Sequence, residues 1–248
     1  MKKKNTQNIN SLSIVIPFYN EKKRLHLAFK NIKIFLRKNF ISKIEILFID
    51  DGSNDGGYLM INNFFNNLKK IKNFYHKLLR IKKNSGKGYA IKKGCLAAKN
   101  KWILTTDLDF SVPLIHVNYW IKKKIISSEN DIFFGSRALE KSKVKTAKYR
   151  LLIGKVFRVL IYYFLNIKIK DTQCGFKLYK SLIAKKIFKK LKTYGFDHDL
   201  EVVILAKKMN YQIKELPVKW HHVEQSKLHL FKDSIKMFLG ILKLSVKI

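Results

Sequence analysis

Two aspartates one residue apart, Asp107 and Asp109, follow a short apolar and β-branched run, Trp102-Ile103-Leu104-Thr105-Thr106, that reads as a buried strand. On an ideal strand residues i and i+2 face the same side, so the two carboxylates would share one site. They repel each other there unless water solvates them or a cation sits between them. Hard carboxylate oxygens suit Mg²⁺ or Mn²⁺ rather than a soft metal. An isolated Asp-x-Asp is more often a solvated strand-end turn; its company is what sets this one apart. Asp50-Asp51-Gly52-Ser53, Asn84-Ser85-Gly86-Lys87-Gly88 and Gly135-Ser136-Arg137 each follow an apolar run as well. A lysine between two glycines can approach a diphosphate without obstruction from neighbouring Cβ atoms, helped by backbone N–H groups ahead of a helix.

The elements that must position these residues are legible from periodicity. Strands are expected over 12–17, 45–49, 76–81 and 102–106, separated by helices over 22–38, 58–68 and 89–98. The first helix carries its apolar stripe at Leu25, Phe29, Ile32, Phe35 and Leu36. This alternation is the grammar of an α/β fold, a mostly parallel central sheet flanked by helices. Such sheets bind ligands beyond the carboxyl ends of their strands. The special loops all follow strands, so they should converge on one edge. Beyond them, helices are expected over 113–126, 147–165, 181–191 and 199–210, and strands over 131–135 and 215–220. A polar loop, Asp171 to Lys177, enters one more strand. Residues 1–228 form the expected domain, and 229–248 an amphipathic helix suited to a membrane surface, with Leu230, Phe231, Phe238 and Leu242 among interspersed lysines.

The 248 residues are 47% hydrophobic, enough for a sizeable core, which excludes global disorder. Lys and Arg number 52 against 17 acids, a net charge of +35 that favours anionic partners. The lysines are spread along the chain and no recognition motif accompanies them, so a nucleic acid is not an expected partner. Cys95 and Cys174 fit neither a zinc pattern nor a disulfide scaffold. The apolar run after the first lysines is too short for a signal peptide, and no stretch reaches the ~18 apolar residues needed to span a bilayer.

Ile16-Pro17-Phe18-Tyr19-Asn20-Glu21, Asp50-Asp51-Gly52-Ser53, Gly86-Lys87-Gly88 and Asp107-Leu108-Asp109, in that order, resemble a family-2 glycosyltransferase of the GT-A fold. The second half narrows the resemblance. Gly135-Ser136-Arg137, Asp171-Thr172-Gln173-Cys174-Gly175-Phe176-Lys177, Phe196-Asp197, and Val218-Lys219-Trp220 followed by Ser226-Lys227 are similar to the dolichyl-phosphate β-glucosyltransferases. Two features depart from that pattern: no N-terminal anchor of the eukaryotic type is apparent, and Phe110-Ser111 follows the second aspartate.

The resemblance implies roles. Asp51 would accept from the uracil N3–H, with Pro17, Tyr19 and Glu21 lining the nucleoside pocket. Lys87 would reach the diphosphate of a nucleotide-sugar donor, UDP-glucose first among candidates. Asp109 would contact Mg²⁺ or Mn²⁺ directly, with Asp107 supporting the ribose or the metal's water shell. Arg137, Arg150, Lys177 and Lys227 would surround the phosphate of a polyprenyl-phosphate acceptor. A phosphate monoester is already largely ionised near neutral pH and can attack without a general base. A hydroxyl acceptor would need one, for which Asp171, Asp197, Asp199 and Glu201 are the candidates. The enzyme is then expected to sit peripherally on the cytoplasmic face of a membrane, against its anionic surface.

Overall fold

The computed structural model describes residues 8–68, 71–127, 129–195, 197–221, 240 and 242. Its strands are built from the apolar runs. They are β1 (Ser11–Phe18), β2 (Lys43–Asp50), β3 (Phe74–Arg80), β4 (Trp102–Thr105), β5 (Ile132–Ser136), β6 (Lys143–Lys145), β7 (Lys177–Lys180), β8 (Ile213–Pro217) and β9 (Lys219–His221). The helices are α1 (Leu25–Lys38), α2 (Gly57–Asn66), α3 (Lys87–Ala97), α4 (His116–Lys122), α5 (Lys148–Leu165), α6 (Ser181–Lys190) and α7 (His198–Lys208), with a 3-10 turn at Lys22–Arg24 leading into α1.

Seven strands form one sheet in the order β3-β2-β1-β4-β7-β5-β8. β1 to β4 are mutually parallel and β7 runs antiparallel between β4 and β5. Alternation sorts the strand side chains to two faces. Ile14, Ile16, Ile46 and Phe48 pack against α1, α2 and α4, whereas Val15, Leu47 and Ile49 pack against α3 and the helices of the second half. The result is helices on both faces of a mostly parallel sheet, as the periodicity predicts.

Three expectations are corrected. β4 stops at Thr105, so Asp107-Leu108-Asp109 sits in a turn rather than on the strand, closed by the Phe110 amide donating to the Asp107 carbonyl at 3.2 Å. Phe110 takes a φ of 48°, which bends the chain back and brings the two acids into one pocket. α4 is shorter than the span 113–126, because Pro113 opens a turn and Lys124, at φ 50°, ends the helix. The expected strand over 215–220 breaks at Val218: β8 pairs with β5 in the main sheet, while β9 pairs with β6 in a separate two-stranded ribbon.

Candidate active site

A cavity of about 370 Å³ opens at the carboxyl ends of the first strands, lined by Pro17, Tyr19, Glu21, Arg24, Asp51, Gly86, Lys87, Asp107 and Asp109 among others. The loops that build it are clasped to one another. Asn20, at φ 51°, donates its amide to Ser53 Oγ, and its side-chain oxygen accepts from the Asn54 amide. The buried Asp51 carboxylate accepts from the Ser85 and Gly86 amides, both at 2.8 Å. Burial pushes the Asp51 carboxyl up, and those two amides only partly offset it.

The glycines flanking Lys87 have a second reason to be glycines. Gly86 adopts φ 101°, and a Cβ there would run into the Tyr194 carbonyl. A Cβ on Gly88 would lie 2.6 Å from His198 Cβ. The Gly88 amide donates to the Tyr194 carbonyl at 2.8 Å. The amides of Ser85, Gly86 and Gly88 are thus held by the protein, which corrects the expected backbone phosphate cradle; what this loop presents to the cavity is the Lys87 side chain.

Lys87 Nζ lies 2.6 Å from Asp107 Oδ1. Asp109 faces Arg24 at 3.9 Å and accepts from the Ser111 amide at 2.9 Å. Burial raises the Asp109 carboxyl, and the neighbouring Asp107 charge raises it further. Two crowded carboxylates in a half-closed pocket are a hard oxygen donor set short of positive charge, so they fit a Mg²⁺ or Mn²⁺ ion. Among the described residues no group of three His, Cys, Asp or Glu converges on one point. Two aspartates suffice for a cation that keeps water and takes phosphate oxygens. Arg24, which the sequence expectations did not include, is nearly buried and also grips both Glu21 carboxylate oxygens through Nε and Nη2. Its signal is the i,i+3 spacing of Glu21 and Arg24 at a helix start.

The second half closes on Asp107. Gly175 packs so tightly that a Cβ there would lie 2.5 Å from Asp107 Oδ2. Arg137 stands on the same loop system, bound to Asp171 by its backbone amide at 2.8 Å and by Nε and Nη2 at 2.7 and 2.9 Å, with its guanidinium 5.7 Å from the Trp220 ring centre. Burial opposes charge on Arg137, yet Asp171 and, more weakly, Asp107 hold it protonated.

Several expected site residues have other commitments. Lys177 does not face the cavity: its side chain is 1% exposed, paired with Asp199 and donating to the Thr172 carbonyl at 2.8 Å. Asp171 is occupied by Arg137 and by the Gln173 and Cys174 amides. Glu201 accepts from the Lys192 and Thr193 amides. Burial alone would raise the carboxyls of Asp171 and Asp199, but Arg137 holds the first, and His198, Lys177 and Lys87 the second, below the ordinary range. Asp197 abuts Gly195, which lines the cavity, and Gly240 from the C-terminal segment. Arg150 falls in the first turn of α5, its side chain outside the described residues, as are Phe196, Lys227 and all of 229–248 except 240 and 242.

A mostly parallel α/β sheet with an acid-lined pocket at the carboxyl ends of its strands is the architecture of a GT-A glycosyltransferase. Solved structures agree. Glucosyl-3-phosphoglycerate synthase from Mycobacterium tuberculosis, in complex with Mn²⁺, uridine diphosphate and glucosyl-3-phosphoglycerate, superposes with a TM-score of 0.68 at 11% identity, covering 96% of this chain and 81% of that one. A mannosyltransferase from Pyrobaculum calidifontis in complex with GDP-Man and Mn²⁺ gives 0.64 at 14% identity, covering 99% and 67%. The glycosyl transferase family 2 model matches residues 13–188. The dolichyl-phosphate beta-glucosyltransferase of Saccharomyces cerevisiae is 35% identical over 238 residues, 91% of this chain and 71% of the yeast protein. Its Homo sapiens counterpart is 31% identical over 241 residues, 91% and 72% respectively. The chain belongs to glycosyl transferase family 2, and it is a hexosyltransferase.

Proposed function

We propose that the chain transfers glucose from UDP-glucose to dolichyl phosphate or a related polyprenyl phosphate, with inversion, at a membrane surface on its cytoplasmic face. The observation that carries this reading is the state of the candidate bases. Three of the four acids able to deprotonate a hydroxyl, Asp171, Asp199 and Glu201, are held in protein contacts, two of them with depressed pKa values. An acceptor that arrives already ionised needs none of them. The relatives named dolichyl-phosphate beta-glucosyltransferase support the same acceptor class.

In this reading Pro17, Tyr19 and Asp51 receive the uridine, and Lys87 meets the diphosphate. Asp109 and Asp107 would hold a Mg²⁺ or Mn²⁺ ion, which neutralises charge developing on the leaving diphosphate. Arg137, kept protonated by Asp171, orients the acceptor phosphate. A phosphate oxygen attacks the anomeric carbon, the bond from that carbon to the diphosphate oxygen breaks, and UDP leaves from the opposite face. The product is a β-linked lipid-phosphate glucose.

The test is transfer of label from UDP-glucose to a polyprenyl phosphate in detergent with Mg²⁺ or Mn²⁺, beside Asp109→Ala. The expected result is organic-extractable label that falls at least about a hundredfold in the variant. Label appearing only on a hydroxyl acceptor would overturn the phosphate reading.

A further inference from the structure

We infer that α5 is the surface on which this protein docks to an anionic phospholipid bilayer. The helix is apolar around most of its girth, and the fold covers only part of that. Ile161 and Leu165 are buried against the sheet, with Phe157 and Phe164 packed beside them. On the opposite side of the helix, Tyr149, Leu152, Val156, Val159 and Tyr163 are exposed by 53%, 62%, 54%, 66% and 80%. At about 100° per residue they fall within an arc of about 80° along the whole helix. A continuous exposed apolar strip of this kind marks an interaction surface rather than ordinary scatter. Among the described residues no helix is long and apolar enough to cross a membrane, so the geometry suits lying in the interface plane.

Charge selects the occupant. Residues 141–170 contain nine Lys and Arg and no Asp or Glu, in a chain that elsewhere holds 17 acids. Lys155 is exposed at the flank of the apolar strip, and Lys143, Lys145, Lys168 and Lys170 are exposed around the two ends of α5, whereas Arg158 is half-buried on the core side. A second copy of the chain would set this basic face against itself, which like charges disfavour. An anionic lipid surface meets both demands: headgroups pair with the basic flank while the acyl boundary receives the apolar strip. Tyrosines near both ends, Tyr149 and Tyr163, are the amphipathic rings that settle at headgroup depth. Placement also fits. α5 begins three residues after β6, β6 pairs with β9, and Trp220 of β9 lies beneath the Arg137 guanidinium. Docking through α5 would therefore hold the Arg137 side of the site near the bilayer where a prenyl phosphate resides; this last clause alone rests on the proposed function.

The experiment is co-sedimentation of the full chain with vesicles of phosphatidylcholine containing about one third phosphatidylserine, and with phosphatidylcholine alone, for wild type and the triple variant Leu152→Gln, Val156→Gln, Val159→Gln. The three side chains are solvent-exposed, so the melting temperature should hold, which controls for folding. The expected result is wild-type binding that is stronger on the anionic vesicles and a partition coefficient at least roughly tenfold lower in the variant. Equal binding by the two proteins overturns the inference. So does failure of the wild type to bind, or a stable dimer that the triple substitution dissociates while vesicle binding persists. Transfer to a short, water-soluble prenyl phosphate separates this inference from the proposed function. A variant that loses vesicle binding but keeps that soluble activity supports the docking role. Vesicle binding that behaves as expected in a protein with no transfer to any prenyl phosphate would sink the proposed reaction and leave the surface standing.

Discussion

Lys177 and Asp199 meet as a buried ion pair, joined by His198 Nε2 at 3.3 Å from the same carboxylate oxygen. Neither residue type nor spacing announces it: in a chain with 52 basic residues, a lysine after a polar loop reads as a phosphate contact, and only the packing of β7 against α7 shows otherwise. The same holds for Arg137 and Asp171, read as separate players and found as one unit. What was legible was which residues gather, since Pro17, Tyr19, Glu21, Asp51, Lys87, Asp107 and Asp109 all line one cavity. Removing one partner of a buried pair strands the other's charge. Asp199→Asn should therefore cost about 3–5 kcal/mol of stability, and adding Lys177→Met should restore much of it. Acid should narrow the gap. A carboxyl depressed in the folded state contributes stability that is complete above about pH 3.9 and is lost as pH falls through its lower folded value. Denaturation of wild type and Asp199→Asn between neutral pH and about pH 3 checks both statements. A gap that stays constant into acid would mean the pair is not a source of stability.

Glycines decide how the elements seat against one another, and they behave differently according to what a Cβ would meet. Strands and helices with strong periodicity were legible to within a few residues. β6 was not, since Lys143-Val144-Lys145 carries one apolar residue and exists by pairing with β9. A turn at Asp107 was among the readings of the sequence, but its shape was not legible, because it depends on a single positive φ at Phe110. At Gly175 a Cβ would press on the Asp107 carboxylate, whereas at Gly154, within α5, nothing lies within 4 Å. Gly175→Ala should displace Asp107 and lower turnover by roughly a hundredfold with the fold retained, since small displacements of a positioned group carry costs of that order. Gly154→Ala should leave activity unchanged and raise stability by about 0.5–1 kcal/mol through helix propensity. Circular dichroism melts beside the transfer assay separate the two. Loss of folding in Gly175→Ala, or a destabilised Gly154→Ala, would contradict the packing described.

The whole molecule carries +35 on 248 residues, and that charge acts in two opposite ways. Within the chain it is self-repulsion, which the few ion pairs between the sheet and its helices only locally relieve. Toward an anionic bilayer it is attraction, concentrated where residues 141–170 hold nine basic side chains and no acid. Composition made the sign of this field legible, but not its placement, which depends on β6 and α5 bringing a basic segment to one side of the fold. Salt separates the two effects. The screening length falls from about 30 Å at 0.01 M to about 8 Å at 0.15 M ionic strength, so distant repulsions fade first and close buried pairs last. The melting temperature should therefore rise by a few degrees between about 10 and 200 mM NaCl, while binding to anionic vesicles weakens over the same range. Repeating the melts in a second salt of matched ionic strength distinguishes screening from binding of a particular anion. A melting temperature that is flat or falls with salt would mean that local ion pairs outweigh net repulsion, and that the fold tolerates its charge through contacts such as Lys177–Asp199 and Arg137–Asp171.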